Sequence, residues 1–599
     1  MDHLVEECLG WLRSKIRNER KNRVMASPTK STGLKTPWMA LILVATVSLL
    51  AAYQALAATQ SGAVRPRIMY YHDGRHSLAY MYEPPMQKEE FESVVDELAG
   101  TPVEALMFCL GDGRTMLHDT QVGELWGDHV DEWTHLIFRR TYQNVKGLIT
   151  QGHDPLRIVC DRAHEKGMLF YPTLLLQLES GKRGGRGYDI RSSTFRMDNK
   201  QLDIGAGGDL DADFPGYHCA DFKHQRIREE RFAIIEEVLT RYPVDGIELH
   251  MNFWPYYFHP ADVEAGREIM TAWITKIHQA VKRSGVSREL VIRIPASIET
   301  CLARGLDPQE WIRRGIVDVL VPQNPARPKL MDPNSEILVY EEWLLRDIRT
   351  LVAAARGSHC RIHATISSQL NSDRLAEAPI EMIRAAACNY WAQGVDGMYL
   401  SQWHGNWPFE ASFYEKMREI PHPDIMDSKD KFYHVPTVTN RGYQPGLTRQ
   451  LPAELRQKEP LELTLTITDD LAHWDVAGRV HQVLLRFRVM NMTENDRLRF
   501  RLNGKVLPDS ALRKVNEMYR MSAPRYRTGS GYWFIFRLDR EHWPQKGENI
   551  LEVRLVERDP GLRQKMIVRD VELETKYLKG KNFHRGQDPD LGPAEPSGT

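Results

Sequence analysis

Short apolar runs alternate with amphipathic helical stretches eight times between residues 65 and 420. The apolar runs are Arg67–His72, Val103–Leu110, Met168–Leu176, Gly246–Asn252, Leu290–Ala296, Val317–Pro322, Arg361–Ser367 and Gly397–Ser401. A strand followed by a helix, repeated eight times, is typical of an α/β fold in which a closed parallel barrel is ringed by helices, the (β/α)8 or TIM barrel. The alternative, an open doubly wound sheet, places a glycine-rich phosphate loop after its first strand, and Tyr70-Tyr71-His72-Asp73-Gly74 is no such loop.

Beyond the barrel region the pattern changes to runs with a period of two and no long helices. These runs are Leu461–Thr468, Gln482–Val489, Leu498–Leu502, Trp533–Leu538, Ile550–Val556 and Ile567–Thr575. Turn signals such as Asn503-Gly504 separate them. The pattern predicts a C-terminal all-β sandwich over residues 432–577, which either binds carbohydrate or buttresses the barrel. Residues 578–599 are rich in Gly, Pro and charge, and we expect a disordered tail.

The N-terminal region predicts export. Residues 1–37 are basic, and residues 38–58 (Trp38–Ala58) form an almost wholly apolar run. Such a run after a basic segment is typical of an export signal whose basic side stays in the cytoplasm. Cleavage near Ala55-Leu56-Ala57 and retention as a membrane anchor both remain open. We therefore expect the protein in the periplasm, outside the cell, or anchored to the outer face of the cytoplasmic membrane.

Composition excludes several classes of function. Because 79 basic residues balance 80 acidic ones, for a net charge of −1, a general nucleic-acid binder is not expected. The seven cysteines form no CxxC pair, so neither a disulfide scaffold nor a structural zinc site of that type is predicted. The first strand carries no HxH motif and no HExxH motif occurs, so we expect no metal or cofactor.

The fourth predicted strand carries the strongest signal for a site. In Asp245–Phe253, side chains alternate, so Glu248, His250 and Asn252 share the face that points into the barrel. A carboxyl group buried without a partner tends to stay neutral, which suits a general acid. The alternative is an ion pair between Glu248 and an interior arginine such as Arg293 of the fifth strand.

Polar and aromatic residues also follow most of the other strands, where the ligand site of such a barrel forms. Together with the fourth strand they predict a substrate-binding set of His72, Asp112, His250, Asn252, Trp254, Glu299, Gln323, Asn324, Gln402, Trp403 and His404. Flat aromatic faces among amides and carboxylates suit a sugar ring. Glycoside hydrolysis requires two carboxyl groups. Glu248 is the first catalytic candidate, and Asp73 ranks ahead of Asp112 and Glu299 as the second.

Several short motifs resemble a known family. Pro243-Val244-Asp245-Gly246-Ile247-Glu248-Leu249 after a helix, Ala163–Met168 before the third strand and Val317–Gln323 at the sixth are similar to the bacterial glycosyl hydrolase-like 10 family. The resemblance covers the barrel region and implies a TIM-barrel glycosidase fold that acts on, or binds, a polysaccharide. His250 stands where such families commonly carry an acid, and the seventh strand has no Glu nucleophile.

The sequence thus leaves two functions open. One is an exported glycoside hydrolase-like protein that acts on a polysaccharide or glycoconjugate by carboxylate acid/base catalysis. The other is a non-catalytic carbohydrate-binding or cell-envelope scaffold protein.

Overall fold

A closed barrel of eight parallel strands organises the N-terminal half of the structure. The computed structural model describes residues 65–181, 190–323, 338, 340–370, 375, 377–401, 403, 407–437, 450–457, 459–517, 531–581 and 583. The barrel strands are Ile68–His72, Ala105–Asp112, Leu169–Leu175, Gly246–His250, Glu289–Pro295, Val319–Gln323, Arg361–Ile366 and Gly397–Leu400. Each pairs in parallel with the next, and the eighth pairs with the first, which closes the ring. The predicted (β/α)8 barrel is therefore confirmed.

Helices cover the outside of the barrel. Among the described residues, those of at least seven residues in this region are Lys88–Asp96, Leu136–Thr150, Pro155–Glu165, Gln225–Arg241, Val263–Ser284, Pro308–Arg314, Glu342–Ala355, Ile380–Ala392 and Ala411–Glu419. Helix Val263–Ser284 illustrates why they pack there, because Met270, Ile274, Ile277 and Val281 recur at helical spacing and are buried. No described helix combines the length and the apolar character that a membrane span requires.

Aspartates at the N-terminal end of the barrel accept hydrogen bonds from the backbone of neighbouring strands. Asp245 accepts a hydrogen bond from the backbone N–H of Phe170 at 2.8 Å, and Asp396 accepts one from Ile362 at 2.9 Å. Gly246 follows the first of these aspartates because a Cβ there would lie 2.2 Å from the carbonyl oxygen of Glu289. The Asp-Gly pairs of the sequence thus join neighbouring strands at their starts.

Two antiparallel sheets follow the barrel. One contains Lys431–Val435, Ala453–Glu454, Val480–Met490, Leu512–Glu517, Gly531–Arg537 and Ile567–Tyr577, and the other contains Leu461–Ile467, Arg497–Leu502, Lys505–Val506 and Gly547–Glu557. Phe500 of the second sheet packs on Phe487 and Phe534 of the first, with ring centroids 4.8 Å apart in both pairs. The predicted C-terminal all-β domain is therefore confirmed, and its core lies between the sheets.

The barrel and the sheets share a polar junction around Glu341. This residue precedes helix Glu342–Ala355, and its carboxylate accepts hydrogen bonds from Trp343 Nε1 at 2.9 Å and Gln450 Nε2 at 3.3 Å. Gln450 also binds the backbone of Thr464 in the second sheet. Burial raises the pKa of Glu341 to about 7, although the hydrogen bonds from Trp343 and Gln450 oppose the shift.

We expect Glu341→Gln to stabilise the protein near pH 8 by about 3 kcal/mol and to change stability little near pH 4.5. The native carboxyl keeps its proton up to about pH 7. In the unfolded chain it loses the proton near pH 4.3, so wild-type stability falls between these values as pH rises. Urea unfolding at both pH values measures the effect. Glu415→Gln, at an exposed glutamate, is the matched control. An equal gain in stability of Glu341→Gln at both pH values would contradict the raised pKa of Glu341.

Candidate active site

Glu248 lies inside the barrel, as the alternation along the fourth strand predicts, and both of its carboxylate oxygens are occupied. Arg293 donates from Nε to Oε1 at 2.9 Å and from Nη2 to Oε2 at 3.0 Å. Thr173 Oγ1 and Tyr399 Oη also donate to Oε2, at 2.5 Å and 2.9 Å. Both partners of the ion pair have 0% exposed side chains. The interior ion pair that the sequence offered as the alternative is therefore present.

Aromatic rings enclose the cationic partner of this pair. The Arg293 guanidinium lies 4.2 Å from the ring centre of Tyr71 and 4.6 Å from that of Tyr399. Burial alone would lower the pKa of Arg293, but Glu248 and Tyr399 hold it above its ordinary value. The pair is fully enclosed in the barrel interior, where cation–π contacts add to the ionic hydrogen bonds.

His250, Asn252 and Gln323 lie toward the C-terminal end of the barrel from Glu248, at the barrel mouth. Burial, helped by the nearby Arg293 charge, lowers the pKa of His250 well below its ordinary value, so the imidazole is neutral at pH 7. Asn252 donates from Nδ2 to the backbone oxygen and to Oε1 of Gln323, both at 3.3 Å. Its Oδ1 is buried, and no described group donates a hydrogen bond to it. The structure thus leaves one buried acceptor of Asn252 unsatisfied at this end of the barrel.

Asp112 holds two arginines at the same end of the barrel. It accepts hydrogen bonds from Arg191 Nε and Nη2 and from Arg75 Nη1, all at 2.7 Å, and from Trp126 Nε1 at 3.1 Å. Burial would raise the pKa of Asp112, but Arg191 and Arg75 hold it well below its usual range. Arg191 also lies over the ring of Phe253, 5.3 Å from its centre. Asp112 is thus a fixed anion that orders the arginines beside the mouth.

Asp73 orders the turn that follows the first strand. Its Oδ1 accepts the backbone N–H groups of Arg75 at 3.0 Å and His76 at 2.9 Å, and its Oδ2 contacts the His76 ring. His72 points outward instead, where its ring stacks on Phe108 and bonds Ser77 Oγ at 2.8 Å. The structure therefore brings Asp73 to the end of the barrel and does not bring His72 into its lumen.

Three further predicted site residues lie in different surroundings. Trp403 is fully buried in the core outside the barrel, where its indole donates to the Ile366 carbonyl at 2.8 Å and packs on Phe413. Trp254 is buried in the inner apolar cluster that contains Phe253. Glu299 is exposed in the first turn of the short helix Ile298–Leu302. Of these, only Trp254 packs with residues of the barrel interior.

The remaining predicted residues, Asn324, Gln402 and His404, lie outside the described residues. So does the predicted export segment Trp38–Ala58.

Sequence reasoning missed several residues that the site depends on. Thr173 and Tyr399 bind Glu248, and alternation along the third and eighth strands would have placed both in the lumen. Arg75 and Arg191 bind Asp112, from which they are separated by 37 and 79 positions in the sequence. No local sequence pattern predicts these contacts.

No family model matches this sequence, and no curated protein matches it. Several solved structures are similar at low identity. Cycloisomaltooligosaccharide glucanotransferase from Paenibacillus sp. is 12% identical, with a TM-score of 0.32, over 84% of this chain and 57% of that one. The glycoside hydrolase domain of PgaB (BpsB) from Bordetella bronchiseptica is 12% identical, with a TM-score of 0.37, over 60% of this chain and 98% of that one.

Alpha-L-fucosidase isoenzyme 2 from Paenibacillus thiaminolyticus is 13% identical, with a TM-score of 0.38, over 60% of this chain and 49% of that one. TM-scores this low do not support any inference about activity. The barrel assignment rests on the strand pairing itself, and the site has to be interpreted from its own residues.

Proposed function

We propose that this protein is a glycoside hydrolase-like barrel that binds a polysaccharide or glycoconjugate at its C-terminal mouth without using Glu248 as a general acid. The observation that carries the proposal is the occupation of both Glu248 oxygens by Arg293, inside a fully buried pair. A general acid has to reach the leaving-group oxygen. Glu248 faces Arg293, Thr173 and Tyr399 instead, which supports an architectural role.

Polar groups at the barrel mouth support the proposal that the protein recognises hydroxyl groups. Asn252 Oδ1 is a buried acceptor with no donor among the described residues, and an unsatisfied buried acceptor costs about 1–3 kcal/mol. A sugar hydroxyl that donates to it would remove that cost. His250, neutral and buried beside Asn252, offers further hydrogen-bonding capacity. The motif resemblance to glycosyl hydrolase-like 10 proteins supports the same class of ligand.

Hydrolysis by Glu248 and Asp73 is the second candidate function, and one observation favours it. Tyr71 lies against Arg293, the partner of Glu248, and Asp73 follows Tyr71 by two residues, in the turn just beyond the end of the first strand. Both carboxyl groups thus belong to the C-terminal half of the barrel strands or to the turns after them. Arg293 would have to release Glu248 before that carboxyl group could act on a substrate.

We further propose that the protein is exported, with residues 38–58 as the signal or anchor. Fractionation of the producing cells, with N-terminal sequencing of the mature chain, tests this proposal. A chain found in the cytoplasm with residues 38–58 intact would contradict it.

We expect the purified protein to bind at least one member of a panel of bacterial, plant and algal polysaccharides, and Asn252→Ala to weaken that binding by roughly threefold to tenfold. The magnitude corresponds to the loss of one hydrogen bond of about 0.5–1.5 kcal/mol. Affinity electrophoresis in gels that contain each polysaccharide measures it. Asn495→Ala, at an exposed asparagine in a turn of the C-terminal domain, is the control. An unchanged affinity in Asn252→Ala would contradict binding at the mouth.

A further inference from the structure

Two histidines and an aspartate converge at the opposite end of the barrel from the mouth. Asp318 directly precedes the sixth strand, His359 lies in the loop before the seventh strand, and His278 lies on helix Val263–Ser284. One ligand atom from each of the three residues falls within 4.8 Å of the others. No sequence motif predicts this cluster, because the three residues lie far apart along the chain.

The spacing of these atoms suits a shared ion better than direct hydrogen bonds. His278 Nε2 lies 3.9 Å from Asp318 Oδ2, and His359 Nε2 lies 3.6 Å from Asp318 Oδ1. By contrast, His164 Nε2 lies 2.8 Å from Asp245, the aspartate in the equivalent position before the fourth strand. Zinc bonds of about 2.0–2.1 Å place neighbouring ligand atoms of a tetrahedron about 3.3–3.5 Å apart. The gaps at Asp318 are thus slightly wider than those of a zinc site.

Other contacts hold the cluster in place and leave it accessible. Asp318 Oδ2 accepts the backbone N–H of Leu290 at 2.7 Å, which fixes the orientation of the carboxylate, while Oδ1 accepts a hydrogen bond from Lys282 Nζ at 2.7 Å. His278 Nε2 is buried, and no described group forms a hydrogen bond with it. The His359 side chain is 46% exposed, which gives an ion a path from solvent.

We propose that His278, Asp318 and His359 bind a transition metal ion of the zinc class at the N-terminal end of the barrel. Two imidazole nitrogens and one carboxylate oxygen favour Zn²⁺ over Ca²⁺ or Mg²⁺, which prefer oxygen ligands alone. The bound ion joins helix Val263–Ser284 to the starts of the sixth and seventh strands. Because the site has three protein ligands, water would complete its coordination, and at this end of the barrel the ion would link the elements rather than act on a ligand at the mouth.

Titration of the untagged full-length protein with Zn²⁺ in a calorimeter tests the proposal. We expect saturable binding to one site, weakened at least about tenfold in His278→Ala and in His359→Ala. His153→Ala, at an exposed histidine in a turn between two helices, is the matched control and should bind like the wild type. Absence of saturable binding, or equal affinity in His359→Ala, would overturn the proposal. His359 is half exposed, so its removal does not threaten folding.

Lys282 provides a second, independent readout. Its ammonium group competes with an ion for Asp318 Oδ1, so Lys282→Met should tighten Zn²⁺ binding. Zn²⁺ should also raise the melting temperature of the wild type and of Lys282→Met, but not that of His359→Ala. Zn²⁺ binding no tighter in Lys282→Met than in the wild type would contradict the assignment of Asp318 as a metal ligand.

Discussion

Arg293→Met should lower the free energy of unfolding by about 3–5 kcal/mol, because it leaves the buried Glu248 carboxyl group without its ionic partner. Arg293 supplies both of the ionic hydrogen bonds to Glu248 and packs between the rings of Tyr71 and Tyr399. Because Met fills a volume similar to that of Arg, the loss of stability reflects the missing charge more than a cavity. Equilibrium unfolding in urea at pH 7 measures the change.

The double variant Glu248→Met/Arg293→Met separates the ion pair from packing. Replacing both members of a buried pair by apolar residues is often neutral or stabilising. We therefore expect the double variant to be more stable than Arg293→Met alone. A double variant no more stable than Arg293→Met would contradict a cost that comes from the lost ionic partner, and so would a loss below about 1 kcal/mol in Arg293→Met.

Asp112→Asn should also destabilise the protein by about 3–5 kcal/mol at pH 7, because it leaves Arg75 and Arg191 without their shared anion. Burial opposes ionisation, but the two arginines hold the pKa of Asp112 well below its usual range. A depressed native pKa means that the stabilisation is complete above the unfolded value of about 3.9 and is lost as pH falls below it. The difference between wild type and variant should therefore stay constant from pH 5 to pH 8 and shrink in acid.

Asp128→Asn is the matched control for this prediction. Asp128 pairs with Lys146 through side chains that are 53% and 50% exposed. An exposed pair contributes about 0–1 kcal/mol, so this substitution should have little effect. Equal losses of unfolding free energy in the two variants, measured by urea unfolding at pH 7, would contradict the assignment of Asp112 to a buried ion-pair cluster.

The barrel was predictable because its strands are short, apolar and regularly spaced. Alternation along the fourth strand also predicted that Glu248 and His250 point inward, and the contacts of Glu248 with Thr173 and Arg293 confirm this for the glutamate. In the C-terminal domain, strand Leu512–Glu517 was missed because its sequence, LRKVNE, is mostly polar and half exposed. An edge strand of this kind lacks the apolar alternation on which such predictions depend.

The chemistry of the site was less predictable than its location. Whether Glu248 is a free acid or half of an ion pair depends on the reach of Arg293 from the neighbouring strand, which composition and spacing do not encode. Trp403 follows the eighth strand as a sugar-binding aromatic would, yet its indole bonds Ile366 in the outer core. The Asp112 and Asp318 clusters join residues from distant segments, so only the folded chain reveals them.

We propose that Glu248 serves as the structural partner of Arg293 while the mouth binds a saccharide. The most direct test is the release of reducing ends from the polysaccharide that the protein binds, measured for the wild type beside Glu248→Gln. We expect both proteins to bind the polysaccharide and neither to release reducing ends. Release by the wild type that falls by at least about 100-fold in Glu248→Gln, the lower range for loss of a general acid, would contradict it and establish hydrolysis.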